Sequence, residues 1–89
     1  MLNNEDFIDE KKLFEVIGKN IRFYRRLYSL TNNEMTQEKL AEAIEVSTSL
    51  IGNLESKKTS QGISLYNLYK ISIILNVPLD KFFTENQSI

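Results

Sequence analysis

Apolar residues recur at spacings of three and four along most of this 89-residue chain, and no long alternating run suggests strands. Such spacing puts them on single faces of helices, so the chain must bury helical stripes against one another. Phe14, Ile17, Ile21, Tyr24 and Tyr28 make the first stripe, on a helix expected from about Leu13 to Leu30. Lys19, Arg22 and Arg26 fall on another face of it, where a solvated surface is the simplest reading. Thr31-Asn32-Asn33-Glu34 breaks the pattern and reads as a loop.

Small hydroxyl residues then mark where three further helices begin. Thr36 stands as an N-cap, and Glu38 in the following turn suits the helix dipole. Leu40, Ala41 and Ile44 are the apolar face of this short second helix, which ends near Glu45. Ser47 caps a third helix whose Ile51 and Leu54 point to the core. Its other side carries Thr48, Ser49, Gly52, Asn53 and Ser56, polar and uncharged. A merely solvated face would favour Glu and Lys, and Gly52 costs about 0.5–1 kcal/mol of helix stability relative to Ala. Ser64 caps a fourth helix running to about Asn76, with Ile63 and Leu68 placed as a hydrophobic staple. The apolar content of that helix (Leu65, Leu68, Ile71, Ile74, Leu75) predicts burial on several sides. β-Branching alone would also allow a strand over residues 71–75; length and the cap favour the helix. Pro78 suits the first position of a final short helix with Leu79, Phe82 and Phe83 on its apolar face. The expectation is an all-α, compact five-helix domain over residues 13–84, preceded by an acidic arm (1–12) and followed by a tail (85–89).

Composition removes whole classes of chemistry. The chain has no Cys, which excludes disulfides, thiolate metal sites and thiol nucleophiles, and no His, which excludes imidazole bases and ligands. An enzyme is therefore not expected, and no cofactor or metal is expected. The carboxylates Glu5, Asp6, Asp9 and Glu10 read as a solvated tail in preference to a cation site. No apolar run is long enough for a transmembrane helix, and the acidic start does not resemble a signal peptide, so a cytoplasmic protein is expected. The net charge of −1 at first argues against a nucleic-acid partner. Its distribution does not: the four acids and no base of residues 1–10 give −4, whereas nine bases and six acids give residues 11–58 a charge of +3.

Residues 37–56, QEKLAEAIEVSTSLIGNLES, carry a specific resemblance. The stretch is similar to the helix-turn-helix of the lambda-repressor-like family, also called the Cro or XRE type, whose members are bacterial and phage transcription regulators. The resembling features are Thr36-Gln37 leading into Leu40-Ala41, then Ile44, Val46-Ser47 in the turn, and Ile51, Leu54 and Glu55. Downstream, LYNLYKISIILNVPLDKFF resembles the family's ending, so the likeness covers about residues 14–83. Ala41 also supplies the small residue that two steeply crossing helices need. Three departures stand out. Glu45 occupies a turn position that is commonly Gly, where a left-handed backbone would be strained. The loop Thr31–Met35 is longer than usual, and Lys57 stands where Gly is frequent.

The resemblance implies a sequence-specific DNA-binding transcription regulator, a repressor acting as a homodimer on double-stranded DNA, and associated with the nucleoid. Helix three would enter the major groove, with Thr48, Ser49 and Asn53 reading base edges. Gln37, Ser47, Lys57 and Lys58 would contact the phosphate backbone, with Arg22 and Arg26 as weaker candidates. Gly52 would permit close approach, with simple tolerance as the alternative. Arg25 and Glu55 would form a structural ion pair. Leu79, Phe83 and Ile89 are candidates for the dimer surface, whereas Phe82 reads as core. The alternative from another class is a protein-interaction module that keeps the fold without DNA binding, which the weak net charge and the uncharged face of helix three support; a protein partner is compatible with both.

Overall fold

A computed structural model describes residues 7–57 and 61–85. Its elements are α1 (Glu10–Thr31), α2 (Gln37–Ile44), α3 (Thr48–Glu55), α4 (Leu65–Leu75) and a closing 3-10 turn (Leu79–Phe83). No strand occurs among the described residues. The chain is thus all-α, but its fifth element is a single tight turn. Pro78 lies just before that turn, and its carbonyl accepts from the Lys81 N–H at 3.0 Å.

α1 starts at Glu10, three residues earlier than the apolar stripe alone suggests, because Asp9 offers its carbonyl to the Leu13 N–H at 2.9 Å. Thr36, Ser47 and Ser64 each accept a hydrogen bond from the backbone N–H three residues on, at 3.0–3.1 Å, which satisfies one otherwise orphaned donor per helix. α2 and α4 end alike. Glu45 and Asn76 take left-handed conformations (φ 63° and 57°), and the N–H groups of Val46 and Val77 reach back to the carbonyls of Ala41 and Ser72. Those are Schellman ends; Asn tolerates the left-handed backbone, whereas Glu45 carries strain there.

The core gathers Ile17 and Ile21 of α1, Leu40, Ala41 and Ile44 of α2, Ile51 and Leu54 of α3, Leu68, Ile71 and Leu75 of α4, and Phe82. Phe14, Tyr24 and Tyr28 border it half-buried, so the α1 stripe is centred on Ile17 and Ile21. α3 packs against α1 and α2, while α4 packs against α2, α1 and the 3-10 turn. At the α1–α3 crossing, a Cβ placed on Gly18 would lie 1.7 Å from the Leu54 carbonyl oxygen, so only glycine permits this approach. Buried Asn20 ties α1 to the chain end, donating from Nδ2 to the carbonyls of Phe82 (2.8 Å) and Thr84 (2.9 Å). Lys70 of α4 donates from Nζ to the Ile44 carbonyl at the end of α2, where a cation also complements the helix dipole. One expectation for α4 is corrected. It is buried on one side only, and Leu65, counted towards burial from its apolar character, is exposed.

Candidate nucleic-acid interface

The turn between α2 and α3 is two residues long, Glu45 and Val46, before the Ser47 cap. The two helices pack against each other, with Ala41 buried in the shared core and Val46 packed against it. α3 then has two distinct sides. Ile51, Leu54 and Glu55 are buried, while Thr48, Ser49 and Asn53 are exposed and Gly52 and Ser56 half-buried between them. The outer side therefore presents hydroxyls and one amide, groups able to donate and accept towards base edges.

What holds α3 in place is polar. Arg25 grips Glu55 through two parallel hydrogen bonds, Nε to Oε2 and Nη2 to Oε1, both 2.8 Å. The side chains are only 12% and 2% exposed. The Glu55 hydrogen bond raises the Arg25 pKa above its ordinary value, against the opposing pull of desolvation. The third guanidinium nitrogen, Nη1, donates to the Met35 carbonyl at 3.0 Å, so one side chain ties α1 to both α3 and the loop before α2. Ser29 strengthens that loop anchor, its hydroxyl accepting from the Met35 N–H at 2.8 Å.

Gln37 completes the arrangement in a way that the sequence alone does not show. Its amide nitrogen donates to Glu55 Oε1 at 3.0 Å, and its carbonyl oxygen would lie 3.5 Å from a Cβ added to Gly52. It braces the start of α2 against α3, so a phosphate contact from this side chain would draw on the amide's remaining hydrogen. Gln37 nevertheless shares a shallow recess with Thr48 and Arg26. A second groove, between α1 and the end of α3, brings Lys19, Arg22 and Arg26 alongside Lys57. These bases are exposed, and they share the groove with Glu15 and Glu85. Ser47 is exposed but spends a lone pair on its own cap. Lys58 and Ile89 lie outside the described residues. Leu79 is half-buried against the core and Phe83 exposed.

The family model for the helix-turn-helix matches residues 29–82, more than half of the chain. The chain belongs to the Cro/C1-type helix-turn-helix family. No curated protein matches it significantly. The match covers α2, α3, α4 and most of the 3-10 turn, so the geometry above is that of a DNA-binding helix-turn-helix regulator, with α2 and α3 as the two helices of the motif. Among the described residues, no helix is long and apolar enough to cross a membrane.

Gly18, Asn20 and Ser29 hold positions that helical periodicity does not single out. Asn20 and Gly18 are adjacent to Ile17 and Ile21 in the α1 pattern, and a polar or side-chain-free residue beside an apolar stripe was the available signal.

Proposed function

We propose that this helix-turn-helix protein is a sequence-specific repressor that binds duplex DNA as a homodimer, reading the major groove through Thr48, Ser49 and Asn53. The observation that carries the reading is the exposed, uncharged, small-side-chain face of an α3 pinned from behind by Arg25, Glu55 and Gln37. A rigid helix with short polar side chains can seat deeply in a groove, and an Asn amide pairs bidentately with adenine. One eight-residue recognition helix reaches few bases, so specificity calls for two half-sites related by two-fold symmetry. Lys57 and Lys58, with Ser47 and the remaining amide hydrogen of Gln37, serve the phosphates. Arg22 and Arg26 add to them from α1.

Selection of bound duplexes from a random pool tests the proposal. The expected result is a two-fold symmetric consensus whose affinity falls steeply with salt. Asn53→Ala should lose about 1–3 kcal/mol at one base position, while Lys57→Ala should lower the salt slope by about one. Asn53 is the better probe than Gln37, whose removal also weakens the hold on Glu55. No enrichment at low salt overturns the proposal in favour of a protein-interaction module, the reading that the modest +3 of residues 11–58 favours.

A further inference from the structure

α4 is apolar on both sides, yet only one side is covered. Leu68, Ile71 and Leu75 are in the core, while Leu65 (69% exposed), Tyr66 (67%), Tyr69 (51%) and Ile73 (61%) stand in solvent. Leu65, Tyr69 and Ile73 are four apart and form one straight row, and the Tyr66 ring stacks beside Tyr69 with centroids 6.4 Å apart. An apolar patch of this size is comparable with the largest on a typical soluble monomer, and patches of that rank are often functional.

We infer that a second copy of this chain covers it, α4 against α4 in antiparallel fashion about a two-fold axis at Tyr69. The inference deepens the homodimer of the proposed function and rests on that reading. Charge selects the occupant. Lys70 is the one charged residue of α4, and its ammonium is committed to the Ile44 carbonyl and lies 4.8 Å from the Tyr66 ring centroid. The row therefore has no free cation to draw an acidic partner, a phosphate or an anionic membrane. An uncharged row is complementary to itself, because two-fold pairing sets Leu65 of one copy against Ile73 of the other with no like charges opposed. Size agrees: the four residues expose on the order of 500 Å² per copy, and two such faces reach about the 1,000 Å² at which specific interfaces begin. Two tyrosines at the centre suit an interface with an apolar body and a wet edge. The contact is at the low end of that range, so dimerisation is weak in free solution and is reinforced when both copies sit on DNA. The row shares no residue with Thr48, Ser49 or Asn53, so pairing through it leaves the reading face open.

Sedimentation equilibrium of the full chain tests the inference. Wild type should show a reversible monomer–dimer equilibrium, and Ile73→Glu should weaken it at least about tenfold while its circular dichroism and thermal midpoint stay native. The chain lacks cysteine, so Tyr69→Cys carries a single thiol. Under mild oxidation it should crosslink to dimer far faster than Asn33→Cys, an exposed site on the α1–α2 loop. A wild type that stays monomeric at millimolar concentration, or a dimer that Ile73→Glu leaves unchanged, overturns the inference. Duplexes separate this from failure of the DNA reading. Ile73→Glu should bind a single half-site as wild type does and lose only the added affinity of the second half-site. Equal gain from the second half-site in both proteins sinks the α4 contact and leaves the DNA reading intact. Failure of wild type to bind any duplex sinks the DNA reading, while sedimentation and crosslinking still decide the dimer.

Discussion

Glu55 does more for this molecule than its single position in α3 suggests. It accepts from Arg25 twice and from Gln37 once, at 2.8–3.0 Å, with almost no solvent access. Removing one partner of a buried pair leaves the other charge without compensation, a loss of about 3–5 kcal/mol. Glu55→Ala should lie at the lower end, about 3 kcal/mol by urea denaturation, because Arg25 keeps its Met35 bond and some water. Stability equal to wild type would show that α3 does not depend on the pair. Glu45 is the opposite case. Its left-handed backbone serves the turn, while its side chain is exposed. Glu45→Gly relieves that strain at some entropic cost in the unfolded chain, and should stabilise the fold by about 1 kcal/mol, read as a higher denaturation midpoint with an unchanged slope.

At the scale of the element, α3 is a helix whose sequence favours its docking face over its own stability. Gly52 has room for a methyl group: the nearest atom to an added Cβ is Gln37 Oε1 at 3.5 Å, an ordinary contact. The packing therefore does not require glycine at this position, in contrast to Gly18, where the Leu54 carbonyl leaves no space. Gly52→Ala should raise stability by about 0.5–1 kcal/mol. If Gly52 is there to let α3 seat against bases, the same variant should bind its selected operator less tightly, and titration of the two proteins on one duplex reads both effects. Higher stability with undiminished affinity would mean that the glycine is merely tolerated. In α4, β-branched and aromatic residues add little by helix propensity, so the helix depends on burial of Leu68, Ile71 and Leu75, and the side left in solvent is the one proposed to meet a second copy.

For the whole molecule, charge is sorted along the chain. The acidic start of the chain is followed by Lys19, Arg22 and Arg26 of α1, which with Lys57 line one groove beside α3 that also holds Glu15 and Glu85. A net charge of −1 conceals this, and +3 over residues 11–58 is modest for a DNA-binding surface. Affinity should therefore depend on directed contacts and dimerisation more than on bulk attraction. Deleting residues 1–8 removes Glu5 and Asp6 and retains the Asp9 carbonyl that starts α1. The shortened chain should bind random duplex DNA more tightly at low salt, with the difference shrinking as the Debye length falls, and fluorescence anisotropy across a salt series checks it. Equal affinity would show that the arm's charge is not felt at the binding surface.

Spacing and capping chemistry by themselves determined the order of the helices, their starts at Thr36, Ser47 and Ser64, the short turn at Glu45-Val46 and the polar side of α3. These are local properties: a side chain's face follows from its count along the helix, and a cap bonds only three residues away. Tertiary structure decided what each face meets. Gly18 is indispensable because the Leu54 carbonyl crosses there, Asn20 is buried because two carbonyls of the chain end require a donor, and Gln37 turns to Glu55 because that carboxylate has a lone pair to fill. The apolar richness of α4 reads in sequence as burial on several sides, and only the packing of α1, α2 and the 3-10 turn shows that one side is left exposed among the described residues. Periodicity states that a face is apolar; it carries no information on which surface, in the same chain or another, lies across from it.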